Sequence, residues 1–241
     1  MIARLVGSEM CIRDRPDIAT HWEISEDAKT YLFYLRDDVY FHTSEIFGDQ
    51  KTRVVTASDF VYSFDRIKDK KIASPGLWTL ESVEHYEAVD DNTLKIELTH
   101  PYNPFLGILS MKYLSVLPKE LDDLPNNTIS TKPIGTGPFY VKAWMQNLKM
   151  VLRKNKLYFE TNEKGEQLPH LESVAITFVP EKQSEFLLFL QGKLDMINSL
   201  DASYKDELLD KNGQLQKKYR NSIKLIRSPY FCLLYTSDAA D

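Results

Sequence analysis

From Thr30 to Leu35 the chain reads Thr-Tyr-Leu-Phe-Tyr-Leu, aromatic and aliphatic with partial alternation, and this predicts a strand. The polar, acidic residues 25–29 before it suit a turn, and residues 39–42 after it suit a second short strand. Further on, Phe60, Phe64 and Ile67 recur at helical spacing and give one apolar stripe. Thr56 stands where that helix begins, with Asp59 three residues on, an acidic variant of the capping box. Residues 82–89 and 93–98 alternate on either side of Asp90-Asp91-Asn92, which is a hairpin pattern.

Prolines and glycines punctuate the second half. Pro101 ends the hairpin, since proline removes a ladder donor, and Asn103 is placed to cap a short apolar helix over 104–111. Residues 113–117 read as a strand ending at Pro118, and the polar residues 122–132 as a loop. Two glycines and two prolines within 133–138 force a defined turn into an aromatic strand over 139–144. An alternating strand follows over 174–179. A helix over 181–191 then carries Phe186, Leu187 and Leu190 and stops at Gly192. Residues 194–197 suggest a buried strand, 204–209 a short helix and 223–226 a final strand. Strands and helices interleave throughout, so the fold class is α/β.

The two ends differ from this pattern. Residues 5–15 and 232–241 resemble a translated sequencing-library adapter. Met10-Cys11-Ile12-Arg13-Asp14 can be written ATGTGTATAAGAGAC; its reverse complement lies inside TGTCTCTTATACACATCT, which encodes Cys232-Leu233-Leu234-Tyr235-Thr236-Ser237. Two unrelated termini would rarely be encodable as opposite strands of one oligonucleotide. Residues 1–15 and 232–241 are therefore set aside as foreign, and an export signal is expected to have been lost with the true N-terminus.

Composition narrows the function classes. Hydrophobic residues make up 43% and aromatics 12%, which fits a packed globule holding one sizeable domain or two small ones. The full chain carries 30 Lys and Arg against 35 Asp and Glu, a net −5, and stays mildly acidic without its ends. A broad nucleic-acid footprint needs the opposite balance. The basic residues 68–71 read as a solvated helix end. Both cysteines, Cys11 and Cys232, lie in the terminal segments, so no disulfide framework and no thiolate metal site is expected. No run of about 18 apolar residues suggests a membrane helix.

Catalytic patterns are missing. The histidines at 21, 42, 85, 100 and 170 have no paired metal-ligand spacing, and no nucleophile elbow or Cys–His pair is evident. Asp90-Asp91 and Asp122-Asp123 read as turn residues. Gly135 and Gly137 lack the Gly-Lys-Ser/Thr continuation of a phosphate loop, and a strand follows instead of a helix. No catalytic residue, metal ligand or cofactor is expected.

Three stretches resemble one family. They are Trp22-Glu23-Ile24-Ser25 through Val39-Tyr40-Phe41-His42 with Val55-Thr56-Ala57-Ser58-Asp59-Phe60-Val61-Tyr62-Ser63-Phe64; then Gly135-Thr136-Gly137-Pro138-Phe139; then Leu152-Arg153-Lys154-Asn155-Lys156-Leu157-Tyr158. Their order is similar to that of the family 5 extracytoplasmic solute-binding proteins, the peptide-binding components of ABC importers. Two departures stand out. Residues 43–53, with a single Gly48, replace the family's Asp-Gly turn, and Lys154 is an extra residue between Arg153 and Asn155.

The resemblance implies an N-terminal lobe fragment of a type II periplasmic binding protein with mixed sheets. Residues 16–40 and 131–231 would form the main lobe and 41–130 an inserted subdomain. It implies an oligopeptide ligand, ABC permease subunits as partners, no nucleic acid, a monomer, and a periplasmic or extracytoplasmic location with or without a lipid anchor. Ser74, Pro75 and Trp78 would lie near the ligand cleft, and Tyr230 would start the crossover to the second lobe. A core tryptophan is the alternative for Trp78. Other ligands known among relatives (nickel chelate, haem, sugar, signalling peptide) stay open, as does a hydrolase on an α/β scaffold.

Overall fold

A computed structural model of the chain describes residues 6–8, 14–123, 133–198 and 201–226. The chain divides after Thr177 into two compact units. In the first, a two-stranded ribbon pairs β1 (Val6–Ser8) with β2 (Asp14–Pro16). A four-stranded antiparallel sheet follows, in the order β3 (Ala19–Ile24), β4 (Thr30–Leu35), β6 (Thr93–Leu98), β5 (Val83–Ala88). A three-stranded antiparallel sheet runs β7 (Phe139–Met145), β8 (Lys149–Lys154), β9 (Ser173–Thr177). Every strand pair among the described residues is antiparallel, where mixed sheets were expected.

Alternation makes the larger sheet two-faced. Tyr31, Phe33 and Leu35 of β4 and Leu94, Ile96 and Leu98 of β6 are buried, and the register sets Phe33 opposite Leu94 and Tyr31 opposite Ile96. Against this sheet packs α1 (Ala57–Lys68), whose Phe60, Phe64 and Ile67 are buried as the stripe predicts. Phe64 meets the Tyr86 ring edge-on at 5.3 Å. The short α2 (Phe105–Leu109) brings Phe105 edge-on to Tyr31 at 5.1 Å. Each such side chain contributes roughly 1.5–3 kcal/mol by leaving water, so these rings dominate the stability of the unit.

Several expected elements take other forms. Residues 39–42 make one bridge, Tyr40 with Val54, and no strand. The loop after them folds back on itself. Ser44 N–H donates to Lys51 O at 2.8 Å, a 3-10 turn spans Glu45–Gln50, and Gly48 supplies a positive φ of 61°. The helix expected over 104–111 is capped by Pro104, not Asn103, and Phe105–Leu109 is all of it. Residues 113–117 are no strand: a 3-10 turn over Lys112–Leu114 leads into extended chain. Leu114 and Val116 are buried against the core, and Leu117 N–H donates to Ser63 Oγ at 2.8 Å. A helix side chain, not a sheet, satisfies that backbone. Most of the loop expected over 122–132 lies outside the described residues.

In the second unit α3 (Lys182–Leu190) ends before Gly192, whose φ of 70° is the left-handed stop that glycine permits. Phe186 stacks on Tyr204 at 4.5 Å, and α4 (Lys205–Leu208) follows. Residues 194–197 and 223–226 join no described strand, and Met196 and Ile226 stand 74% and 73% exposed. Both expected strands are thereby corrected. An apolar run becomes a strand only when a partner supplies its ladder, and among the described residues none does.

Candidate ligand-contact site

Residues 73–81 form a turn held by backbone and side-chain hydrogen bonds within it. Ala73 takes a positive φ of 48°, Ser74 O accepts from Leu77 N at 3.2 Å, and Ser74 Oγ accepts from Gly76 N at 3.2 Å. Thr79 closes the turn, since its Oγ1 donates to Gly76 O at 2.6 Å. Gly76 has a steric role: a Cβ there would stand 2.7 Å from the Tyr113 Cβ, so only glycine lets the turn lie against that residue.

This turn presents Trp78, 44% exposed and therefore not the core residue of the alternative reading. Its ring meets Tyr113 edge-on, centroids 6.5 Å apart, and Lys112 Nζ sits 5.5 Å from the centre of the Tyr113 ring. Leu77 and Met111 are exposed beside them in sequence, and Pro75 is exposed at the turn's tip. Ser74 is half-buried with its hydroxyl spent on the turn. Ser74, Pro75 and Trp78 therefore share one rigid element, while Tyr230 lies outside the described residues. Lys112 and Tyr113 went unnoticed in the sequence because that stretch reads as the start of a strand. The face offers apolar and aromatic contact and one cation, but no nucleophile and no paired acid.

The motif residues gather elsewhere. His42 is buried, its Nε2 donating to Gly137 O at 2.9 Å while Gly135 N–H donates to its Nδ1 at 3.3 Å. The backbone joins in, with His42 N–H donating to Gly135 O at 2.7 Å. Asn155 completes the cluster through Nδ2 to Gly137 O at 3.0 Å and its N–H to Pro138 O at 2.8 Å. The Phe-His, Gly-Thr-Gly-Pro and Arg-Lys-Asn stretches thus meet at one point. Burial pushes the imidazole down to about 4, outweighing the hydrogen bond to Gly137, so His42 is neutral with its proton on Nε2.

A second cluster surrounds Arg53. Its Nε and Nη2 each donate to Glu120 at 2.6 Å, its Nη1 and Nη2 to Asp59 at 2.7 and 2.6 Å, and its Nη1 to Val54 O at 3.1 Å. All five guanidinium protons are thereby used. The plane rests against Phe41 and Phe47, 5.1 and 5.6 Å from their centres. Asp59 also accepts Thr56 N–H at 2.9 Å, the carboxylate half of the expected capping box. Burial opposes the Arg53 charge but the two carboxylates hold its pKa above the ordinary value; Arg53 in turn pulls Glu120 down. Such closed pairing leaves no group free for chemistry and marks both clusters as architecture.

An open concavity of about 640 Å³ in the second unit is lined by Gln214, Leu215, Arg220, Ile223, Lys224 and Leu225. Arg220 is occupied by Leu215 O at 2.9 Å, and the lining ends next to residues outside the description, so no site is assigned there. Among the described residues no three His, Cys, Asp or Glu side chains gather as metal ligands. No described helix is long and apolar enough to cross a membrane.

Comparison with known proteins places this architecture. Residues 15–233 match the family described as bacterial extracellular solute-binding proteins, family 5 Middle. The dipeptide-binding protein of Escherichia coli K12 is 32% identical over 182 residues, covering 69% of this chain and 32% of that protein. Heme-binding protein A of Haemophilus influenzae is 31% identical over 198 residues, 76% of this chain and 35% of that protein. Among solved structures, the ABC transporter-associated periplasmic binding protein DppA from Helicobacter pylori, in complex with peptide STSA, superposes with a TM-score of 0.76. It is 29% identical and covers 86% of this chain and 42% of its own. HbpA2 from Haemophilus parasuis gives 0.73 at 30% identity, covering 86% and 43%. The chain spans about a third of the length of the curated relatives it matches. It belongs to the bacterial extracellular solute-binding proteins, family 5, and has the type II periplasmic binding protein fold.

Proposed function

We propose that this chain is the N-terminal part of a binding protein that captures short peptides outside the cytoplasm and delivers them to an ABC permease. Ser74, Pro75 and Trp78 contribute one wall of the ligand cleft, and Tyr230 is a further ligand contact. The observation that carries this reading is Trp78, held exposed and edge-on to Tyr113 by a turn closed by its own hydrogen bonds. A pre-set aromatic wall binds peptide side chains without ordering cost and without demanding one sequence. Closure of two lobes then pairs the peptide's main chain in a water-excluded space. The protein works as a monomer, needs no cofactor, binds no nucleic acid and is periplasmic or extracytoplasmic, with or without a lipid anchor.

The match to Heme-binding protein A supports a second reading, since a flat apolar ligand would also stack on Trp78. One panel separates the two. The complete reading frame, purified and heated with di- to pentapeptides, haem, nickel–histidine or oligosaccharides, should gain thermal stability with peptides alone. Stabilisation by haem and not by peptides selects the second reading, and stabilisation by nickel–histidine or sugar overturns both.

A further inference from the structure

His42 is a buried titratable side chain that the ligand-contact face does not use. Both its ring nitrogens are committed in opposite senses: Nδ1 accepts from Gly135 N–H at 3.3 Å and Nε2 donates to Gly137 O at 2.9 Å. Only a neutral imidazole can do both, because the imidazolium has two donors and no acceptor. A proton on Nδ1 would point at the Gly135 N–H, turning an attraction into a repulsion inside a buried cluster. We propose that His42 is a proton-operated clasp: neutral, it ties residues 41–42 to the turn Gly135–Pro138, and protonated, it releases that turn.

Besides Gly137 O, the surroundings offer the ring no group that offsets the added charge. From β7 it meets Tyr140, a phenol at 6.1 Å between ring centres, and from the turn after β8 it meets the neutral Asn155 through Gly137 O. The turn over 133–138 carries no titratable side chain. On the segment hydrogen-bonded to residues 41–44, Arg53 is taken up by Asp59 and Glu120, and Lys51 is exposed. Beside Asn155, Lys154 pairs with Glu172 at 3.4 Å and Lys156 is exposed. Among the described residues no carboxylate lies within ion-pair distance of the imidazole.

The consequence is local. Acid should loosen the junction of residues 41–42 with 133–138 while Phe33 and Leu94, whose backbones bond only within the four-stranded sheet, stay closed. With a pKa of about 4 in the closed clasp and the ordinary 6.5 in the open one, opening becomes about twentyfold more frequent between pH 7 and pH 5.

Hydrogen exchange resolved at single amides, with each rate divided by its intrinsic rate at that pH, tests this on the intact chain. Protection of Gly135 N–H should fall about twentyfold from pH 7 to pH 5 while that of Phe33 and Leu94 holds. In His42→Asn, whose amide oxygen can accept from Gly135 N–H but does not protonate, the fall should vanish. Should that variant not fold, ring nitrogen NMR of the wild type decides: Nδ1 must report an unprotonated acceptor at pH 7 and gain its proton only as Gly135 protection is lost. Equal protection of Gly135 at both pH values, an equal fall in the variant, or a ring that titrates near 6.5 with Gly135 undisturbed each overturns the clasp.

Discussion

Arg53 and Asp59 face each other through two parallel hydrogen bonds of 2.6 and 2.7 Å, with Asp59 only 1% exposed. A buried carboxylate at a helix start would ordinarily be costly; here the guanidinium and the Thr56 N–H supply hydrogen bonds to its oxygens. Removing the cation leaves Asp59 and Glu120 side by side without it. Arg53→Ala should therefore lower unfolding free energy by about 3–5 kcal/mol in urea denaturation. Arg53→Lys keeps the charge but not the five-donor fork, and should fall between the two. A loss under 1 kcal/mol for Arg53→Ala would show that the cluster is not a fastening point.

The Gly76 position makes a steric forecast. Its φ of −87° is open to any residue, so only the 2.7 Å approach to Tyr113 Cβ excludes a methyl group. Gly76→Ala should cost about 1–3 kcal/mol by overpacking and shift the emission of Trp78, the ring that leans on Tyr113. Tyr113→Gly, which removes that Cβ, should restore part of the stability lost in Gly76→Ala, a coupling a double-mutant cycle would read directly.

Alkaline pH should erode the stability of the first unit through two tyrosines. Burial and then the Asp122 carboxylate push Tyr62 up to about 12; burial and then Asp65 raise Tyr86 further. A phenol whose pKa is raised on folding stabilises fully below its unfolded pKa near 10 and loses that contribution as pH climbs through the folded value. Absorbance titration should show these two phenols ionising late and together with unfolding. In Tyr86→Phe the stability loss above pH 10 should be shallower, and an identical slope would refute the assignment.

The strand Thr30–Leu35, the hairpin at Asp90-Asp91-Asn92 and the Thr56–Asp59 cap were legible in the sequence because each is a local contest. Alternation, turn residues and a capping carboxylate decide such elements before tertiary packing intervenes. Residues 113–117 were not legible. Leu114 and Val116 would suit a strand, but whether they find one depends on Ser63, some fifty residues away in sequence, which takes the Leu117 N–H. Residues 194–197 and 223–226 failed for the same reason: a run of apolar side chains carries no record of its partner.

The site was less visible than the scaffold. Family resemblance drew attention to His42, Gly135, Gly137 and Asn155, yet these residues satisfy one another and form a joint. Ligand contact is expected of Trp78, whose neighbours Lys112 and Tyr113 come from a distant stretch with no motif of its own. Motifs that recur in order along a chain can thus report how its segments are fastened together.

Ser63 offers a smaller check on that fastening. Its hydroxyl accepts Leu117 N–H and donates to Asp59 O at 2.6 Å, so Ser63→Ala leaves the part-buried Leu117 N–H unpaired. A loss of about 1–3 kcal/mol in thermal or urea unfolding is expected, and no change would mean that the extended chain after Leu114 is held by packing alone.

Isothermal calorimetry of the complete reading frame against a di- to pentapeptide mixture, wild type beside Trp78→Ala, bears most directly on the ligand-facing role of this turn. Loss of the aromatic wall should weaken binding by about tenfold or more while the melting temperature without ligand stays put. Equal affinity in both proteins, or no heat from the wild type with any peptide, would contradict it.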